Sequence, residues 1–348
     1  MPRPATSRRS LTLYIAAIAV VLGVLVAERL PVPYVILGPG PTLNTLGTDQ
    51  SGKPLITVSG HQTYPTTGHL NMVSITYSGG PGHQFNVFTA LRAWLDPDEA
   101  VVPQSEIFAP GQSQQQVSQQ DQVQMTSSQQ SATAAALTQL HIAYQTVAGV
   151  VSVKQGLPAY GKLKAGDLIT AIDGRAVTGT TELTTLIKAD AAKPLALTIS
   201  RGGKTQHLQV TAAQVGGRPI LGVVVQDQYQ FPFQVTIQIG QIGGPSAGMM
   251  FALGIINKIS HMNLTNGKFI AGTGEISANG QVAPIGGIQQ KMIAARDAGA
   301  TVFLAPAGNC SDTTGAVPKG LRVVKVSTLS GAISALQNIK AGQPVPSC

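Results

Sequence analysis

Two residues in this chain have types and a spacing that could do chemistry together. Ser246 lies in Gly243-Gly244-Pro245-Ser246-Ala247-Gly248-Met249, and Lys291 ends the run Pro284-Ile285-Gly286-Gly287-Ile288-Gln289-Gln290-Lys291. A serine hydroxyl is a weak nucleophile at neutral pH and needs an adjacent base. A lysine on the buried side of a helix loses its charge readily, and its neutral amine can take the hydroxyl proton. Winding Gly286 to Gly299 at ~3.6 residues per turn puts Ile288, Met292, Ala295 and Ala298 on one stripe with Lys291. Gln289, Gln290, Arg296 and Asp297 fall on the opposite half. Taken singly, each residue has a plain explanation: Ser246 as a helix cap, Lys291 as a lysine snorkelling past an apolar stem.

Other catalytic arrangements fit less well. Gly244-Pro245-Ser246-Ala247-Gly248 matches Gly-x-Ser-x-Gly, the nucleophile elbow of α/β-hydrolases, but that fold needs an acid and then a histidine downstream. The only histidine after Ser246 is His261, with no acid between them. Gly202-Gly203-Lys204-Thr205 ends like a phosphate loop, yet Thr198 stands where its first glycine is required. No ATP-binding motif is left, so chemistry at this pair should not need an in-chain ATPase. The six histidines are dispersed and no Cys/His cluster has zinc spacing, so no metal or cofactor is expected.

The elements that must position the pair are legible around it. Pro245 suits a first helical position. Ser246 is then expected in a first turn, where unpaired N–H groups and a positive helix dipole would stabilise an oxyanion. The helix continues Met249-Met250-Phe251-Ala252-Leu253-Gly254-Ile255-Ile256, apolar on every side and therefore central to a core. Upstream, Gly68 to Ser78 alternates as a strand. Phe85 to Leu95 reads as a short amphipathic helix with the single Trp94. The Gln/Ser-rich run Gln112 to Gln130 and the Ala/Leu pattern after it read as a polar helix-turn-helix surface.

At 348 residues the chain has room for about two or three domains. With 11% charged and 43% hydrophobic residues it is not disordered throughout. The formal charge of +8 comes from scattered Lys and Arg with few aromatics, which argues against a nucleic-acid partner. Leu11 to Ala27 is an uncharged run just long enough, with help from its flanks, to cross a hydrocarbon core of ~30 Å. Arg3, Arg8 and Arg9 precede it, so the N-terminus should stay cytoplasmic and everything after about residue 28 lie outside. A cleaved signal peptide has the same charge layout. Cleavage after Ala27 would place Leu25 at the −3 position, a poor small-residue site, which favours an uncleaved single-pass anchor. Cys310 and Cys348 are an even count in a chain placed outside the reducing cytoplasm, where they can pair or remain two thiols.

Residues 141–212 change character. Leu163-Lys164-Ala165-Gly166-Asp167-Leu168-Ile169-Thr170-Ala171-Ile172-Asp173-Gly174 follows the strand Gly149 to Val153 and precedes a helix near Thr181 to Lys188 and a strand from Leu195 to Arg201. This resembles a PDZ domain of the circularly permuted bacterial type. The resemblance implies capture of an extended peptide by strand addition to a sheet edge, and Val147, Ala148, Gly149 and Val150 are expected at the carboxylate-binding loop. A PDZ-shaped spacer that binds nothing is the alternative.

Gly-Pro-Ser-Ala-Gly, then Thr273-Gly274-Glu275-Ile276, then Pro-Ile-Gly-Gly-Ile-x-x-Lys resembles the proteolytic domain of Lon-type serine peptidases. The order of anchor, PDZ unit and Lon-like domain is similar to the YlbL-like bacterial membrane peptidases. The resemblance implies a Ser246 nucleophile, a Lys291 general base and Thr273 orienting the lysine, with Gly244, Pro245 and Ala247 supporting the nucleophile or the oxyanion. Gly243 departs from the pattern, which usually carries aspartate or a similar residue there. The expected fold is α+β multidomain: tail 1–10, transmembrane helix 11–30, an extracytoplasmic α/β region 31–140 packing with the protease domain, PDZ 141–212, a Lon-like α/β domain 213–340 and tail 341–348. The expected function is an ATP-independent serine endopeptidase acting on protein or peptide substrates. A non-catalytic peptide-binding scaffold and a holdase are the competing readings. Lon-like domains often form rings, which leaves a homo-oligomer open.

Overall fold

The computed structural model describes residues 8–49, 51–190, 193–240 and 242–348. The chain forms two compact units, one of Met1–Thr57, Thr63–Ala135 and Thr236–Cys348, the other of Val58–Gln62 and Ala136–Val235.

The first unit begins with helix α1 (Arg8–Arg29), whose apolar stretch Leu11–Arg29 has a mean hydropathy of 2.3 and no buried residue. Strand β1 (Pro31–Val32) follows at once, then β2 (Tyr34–Asn44), β3 (His69–Gly79), β4 (Phe85–Asn86), α2 (Val87–Leu95), β5 (Ala100–Pro103), α3 (Gln104–Ile107) and α4 (Gln114–Gln139). In α2 the Asn86 side chain accepts the N–H of Thr89, satisfying one of the donors a helix start leaves open. The expected helix-turn-helix over 112–140 is instead one 26-residue helix, α4. Neither glycine nor proline interrupts Gln114–Gln139, so nothing breaks it. Its polar first half meets solvent, while Met125, Ala132 and Ala134 to Leu137 are buried.

A six-stranded sheet organises this unit. It takes β11 (Phe269–Gly272), β12 (Val302–Pro306) and β13 (Arg322–Val326) from the C-terminal part, in the order β13-β12-β11-β3-β2-β5. From β13 through β3 the strands are parallel, with Ile270 opposite Leu70 and Val302; β2 and β5 add antiparallel. Region 31–140 thus supplies three strands of the sheet that carries the catalytic candidates. Helix α6 (Gly248–Ile259) is buried along nearly its whole length, as its unbroken apolarity requires. Helix α7 (Ile288–Asp297) lays Ile288, Met292 and Ala295 among Val73, Ala271 and Phe303 of the sheet.

The second unit is an antiparallel sheet of β6 (Gln145–Val153), β7 (Leu168–Ile172), β8 (Pro194–Arg201), β9 (Lys204–Thr211) and β10 (Val223–Gln230), with helix α5 (Thr180–Ala189). Asp173 and Gly174 both have positive φ, 48° and 77°, in the tight turn after β7, the geometry that Asp-Gly favours. Buried Asp167 accepts the N–H of Lys164 at 2.8 Å and Arg201 Nε at 2.7 Å, bracing the turn before β7. This unit runs on past residue 213 to Val235, since β10 pairs with β6 and Leu221 is buried in its core.

Candidate active site

Ser246 sits on a turn held from three sides. Gly244 has φ of +85°, a conformation that glycine adopts without the Cβ penalty. Its N–H donates to the Asp121 carbonyl at 3.1 Å. The Pro245 carbonyl accepts Ser128 Oγ at 2.9 Å and the Gly248 N–H at 3.3 Å. The Ser246 carbonyl accepts both the Gly274 N–H at 2.7 Å and Thr273 Oγ1 at 3.0 Å.

That last pair corrects the expectation that Pro245 and Ser246 open the helix. Because Thr273 and Gly274 occupy the Ser246 carbonyl, helical bonding starts one residue later. Ala247 is the N-cap and α6 begins at Gly248. The first-turn amides are occupied too. Gly248 donates to Pro245, and Met249 donates to the Gly274 carbonyl at 3.0 Å. Pro245 has no N–H and that of Gly244 is bonded, so neither can serve an oxyanion.

Lys291 reaches this turn from α7. Gly287, at the N-cap of α7, has φ of +66°, and a Cβ there would come within 3.0 Å of the Ile75 side chain. Asn309 clamps the preceding loop, accepting the Ile285 N–H and donating to the Ile285 carbonyl, both at 2.9 Å. Lys291 is 2% exposed, and its Nζ lies 2.8 Å from Ser246 Oγ and 3.1 Å from Thr273 Oγ1. Burial pushes the amine down to about 7. Among the described residues no carboxylate forms an ion pair with it. The helix phase is therefore right for Lys291, Ile288, Met292 and Ala295. It differs at Gln290, which is buried, and at Ala298, which is exposed where the helix ends.

Ser246 is half-buried at the wall of a cleft of about 410 Å³, whose lining includes Met72, Ile75, Tyr77, Asp121, Met125 and Lys291. Burial raises the Asp121 carboxyl above its usual range. The Tyr77 hydroxyl is raised by burial and then by the Asp121 charge. A Cβ on Gly243 would come within 2.5 Å of Asp121 Cβ, so this glycine makes room for a carboxylate from α4. Neither Asp121 nor Ser128 was identifiable in sequence, since both come from a remote polar helix without a motif.

The peptide-binding expectation moves. Val147, Ala148, Gly149 and Val150 lie on β6, which is paired with β10 on one side and β7 on the other, and Val147, Ala148 and Val150 are buried. No edge is left there for an added strand. The sheet instead ends at β10, and a groove of about 320 Å³ runs between that strand and α5, lined by Leu183, Ile187 and Leu221 to Val225, with Lys154 beside it.

Cys310 and Cys348 are joined in a disulfide that ties the C-terminus to the segment after β12, next to Asn309.

Two segments of the chain match known protein families. Residues 235–338 match the model of the Lon protease (S16) C-terminal proteolytic domain, and residues 114–212 that of the PDZ domain. A Lon protease of Heliobacterium modesticaldum is 36% identical over 108 residues, covering 30% of this chain and 13% of that protein. One of Neorickettsia sennetsu is 35% identical over 106 residues, covering 30% and 12%. The chain therefore spans about an eighth of the length of these curated relatives. The crystal structure of the PDZ domain of the SdrC-like protein of Listeria innocua aligns with 30% identity and a TM-score of 0.22, covering 23% of this chain and 92% of that one. The chain is a mixed α+β protein in which a PDZ domain and a Lon-type proteolytic domain follow an N-terminal apolar helix.

Proposed function

We propose that this protein is an ATP-independent serine endopeptidase, anchored by α1, that hydrolyses peptide bonds in extracytoplasmic or membrane-associated proteins. The observation that carries the reading is the 2.8 Å separation of Lys291 Nζ and Ser246 Oγ, with the amine buried. Neutral Lys291 takes the Ser246 proton as Oγ attacks the scissile carbonyl. The resulting ammonium then protonates the leaving amine, giving an acyl-enzyme. Water enters, gives its proton to Lys291 and attacks the ester; the proton returns to Ser246 Oγ as the acid leaves.

The oxyanion donors in this reading are the Ser246 and Ala247 N–H groups, since those of Gly244, Gly248 and Met249 are already bonded. Losing one such donor typically costs about 3 kcal/mol of barrier. Thr273 orients Lys291 and carries no proton in the reaction. The groove between β10 and α5 takes an extended peptide end by strand addition, with Leu183 and Ile187 receiving apolar side chains and Lys154 suiting a terminal carboxylate.

The test uses the full chain in detergent micelles without ATP, with an unfolded protein as substrate. Wild type cleaves it, and a fluorophosphonate labels Ser246. Ser246→Ala and Lys291→Ala should each abolish cleavage; persistence in both would show that the dyad is wrong. Wild-type binding of the substrate with neither cleavage nor labelling would favour a scaffold or holdase.

A further inference from the structure

Helix α2 turns its apolar face away from the protein. Val87, Phe88, Leu91, Trp94 and Leu95 fall within one arc of about 120° at ~100° per residue. All five are exposed, Trp94 by 71% and Leu95 by 70%. Ala93 on the other side is buried, so the helix stands on its small residues with its large ones outward. Such a face costs free energy in water and marks a contact surface.

The fold puts this face at the exit of α1. Pro31, two residues past Arg29, pairs with Asn86, and Val87 opens α2 on the next residue. Neighbouring strands are ~4.8 Å apart, so α2 starts within one strand spacing of the chain leaving α1. Leu30 and Tyr34, both exposed, flank the same place, and Tyr34 lines a shallow groove with Leu91 and Trp94. Aromatic side chains beside a membrane span belong at the headgroup level.

We infer that α2 lies in the outer surface of the bilayer that α1 crosses, its Phe88-Leu91-Trp94-Leu95 face among the lipids, holding the catalytic cleft against the membrane. The occupant is lipid and not a second protein because the face is continuous with the anchor's own end. The consequence for substrate class follows from β2 and α3. The Gln104 N–H, which opens α3, donates to the Pro33 carbonyl at 2.9 Å, and Ile107, one turn on, lines the cleft that holds Ser246. Leu37, also lining it, is four residues along the chain from Pro33, at most ~13 Å. The substrates are then extended segments next to the bilayer surface, such as the membrane-proximal parts of tethered chains. This inference rests on the reading of α1 as a membrane anchor.

Trp94 is the chain's single tryptophan and reports on this directly. The full chain is reconstituted in vesicles of phosphatidylethanolamine and phosphatidylglycerol, and its emission is read with lipids spin-labelled at a shallow or a deep acyl position. At the ~5–10 Å depth of an interfacial helix, shallow labels should quench about twofold or more and deep labels less. Leu91→Glu with Leu95→Glu, both at exposed positions, should abolish the quenching. Chains that withstand an alkaline wash yet show no quenching overturn the inference and leave the anchor standing. Blue-shifted but unquenched emission means that protein, for example a second copy, covers the face, and overturns it as well. Chains removed by the wash overturn the anchor reading, and this inference with it.

Discussion

The Thr273 hydroxyl lies 3.0 Å from the Ser246 carbonyl and 3.1 Å from Lys291 Nζ, so one buried side chain braces both the Ser246 turn and the Lys291 amine. It donates to the first and receives the second, which fixes its rotor. Thr273 follows directly on β11, at the carboxyl end of a parallel strand, the edge where open α/β sheets place their ligands.

Thr273→Val keeps the volume and removes the hydroxyl. Turnover should fall about 10- to 100-fold from misplacement of the amine, with KM little changed. Thr273→Ser should restore most of it. A value of kcat unchanged in the valine variant would remove Thr273 from the site.

The pH profile follows from Lys291. With the amine pushed down to about 7, the neutral base form grows as pH rises, so kcat/KM should climb through about pH 7 and level above it. A serine enzyme relying on an unshifted lysine would still be climbing near 10.5. Single-turnover rates across roughly pH 5 to 10 distinguish the two.

Stability carries the same signature. Below about pH 7 both folded and unfolded chains hold the ammonium, and the folded chain bears the cost of burying it. Between about 7 and 10.5 only the unfolded chain holds that proton, so native stability rises with pH across this window. Lys291→Met removes the dependence. Its stability gain over wild type in urea unfolding should be largest below pH 7 and shrink toward 10.5, at about 1.4 kcal/mol per pKa unit. An equal gain at every pH would contradict the burial argument.

Cys310 and Cys348 are 38 residues apart in sequence, and loop-closure entropy puts removal of their bridge at about 3–4 kcal/mol. Cys310→Ser with Cys348→Ser should lower Tm. Because Asn309 clamps Ile285 ahead of α7, it should also reduce turnover more than the stability loss alone explains at a temperature where the variant is folded. Calorimetry and rate at that temperature separate the effects.

Asp121 gives the cleft one acidic wall. Substrates with Lys or Arg beside the scissile bond should be cleaved in preference to those with Glu, and Asp121→Asn should erase the difference. Its raised pKa makes the preference fade at a higher pH than an ordinary carboxylate would, while neutral substrates follow Lys291 alone.

Local patterning determined much of this protein. The apolar run of α1, the Asp173-Gly174 turn, the unbroken apolarity of α6 and the inward phase of Lys291 all follow from residue type and period, because each is decided within a few turns of chain. The motifs around Ser246, Thr273 and Lys291 also singled out three side chains that the fold brings within hydrogen-bonding distance. Tertiary structure decided what depends on partners remote in sequence. Ser246 stands before its helix because Thr273 and Gly274 take its carbonyl. Val147 to Val150 are closed to peptide because β10 returns to pair with them. Asp121 and Ser128 reach the Ser246 turn from a helix more than a hundred residues upstream, Ser128 being 117 residues from Pro245. Periodicity tells which way a residue faces along its own element, whereas a hydrogen bond between distant segments exists only once the sheet has brought them together.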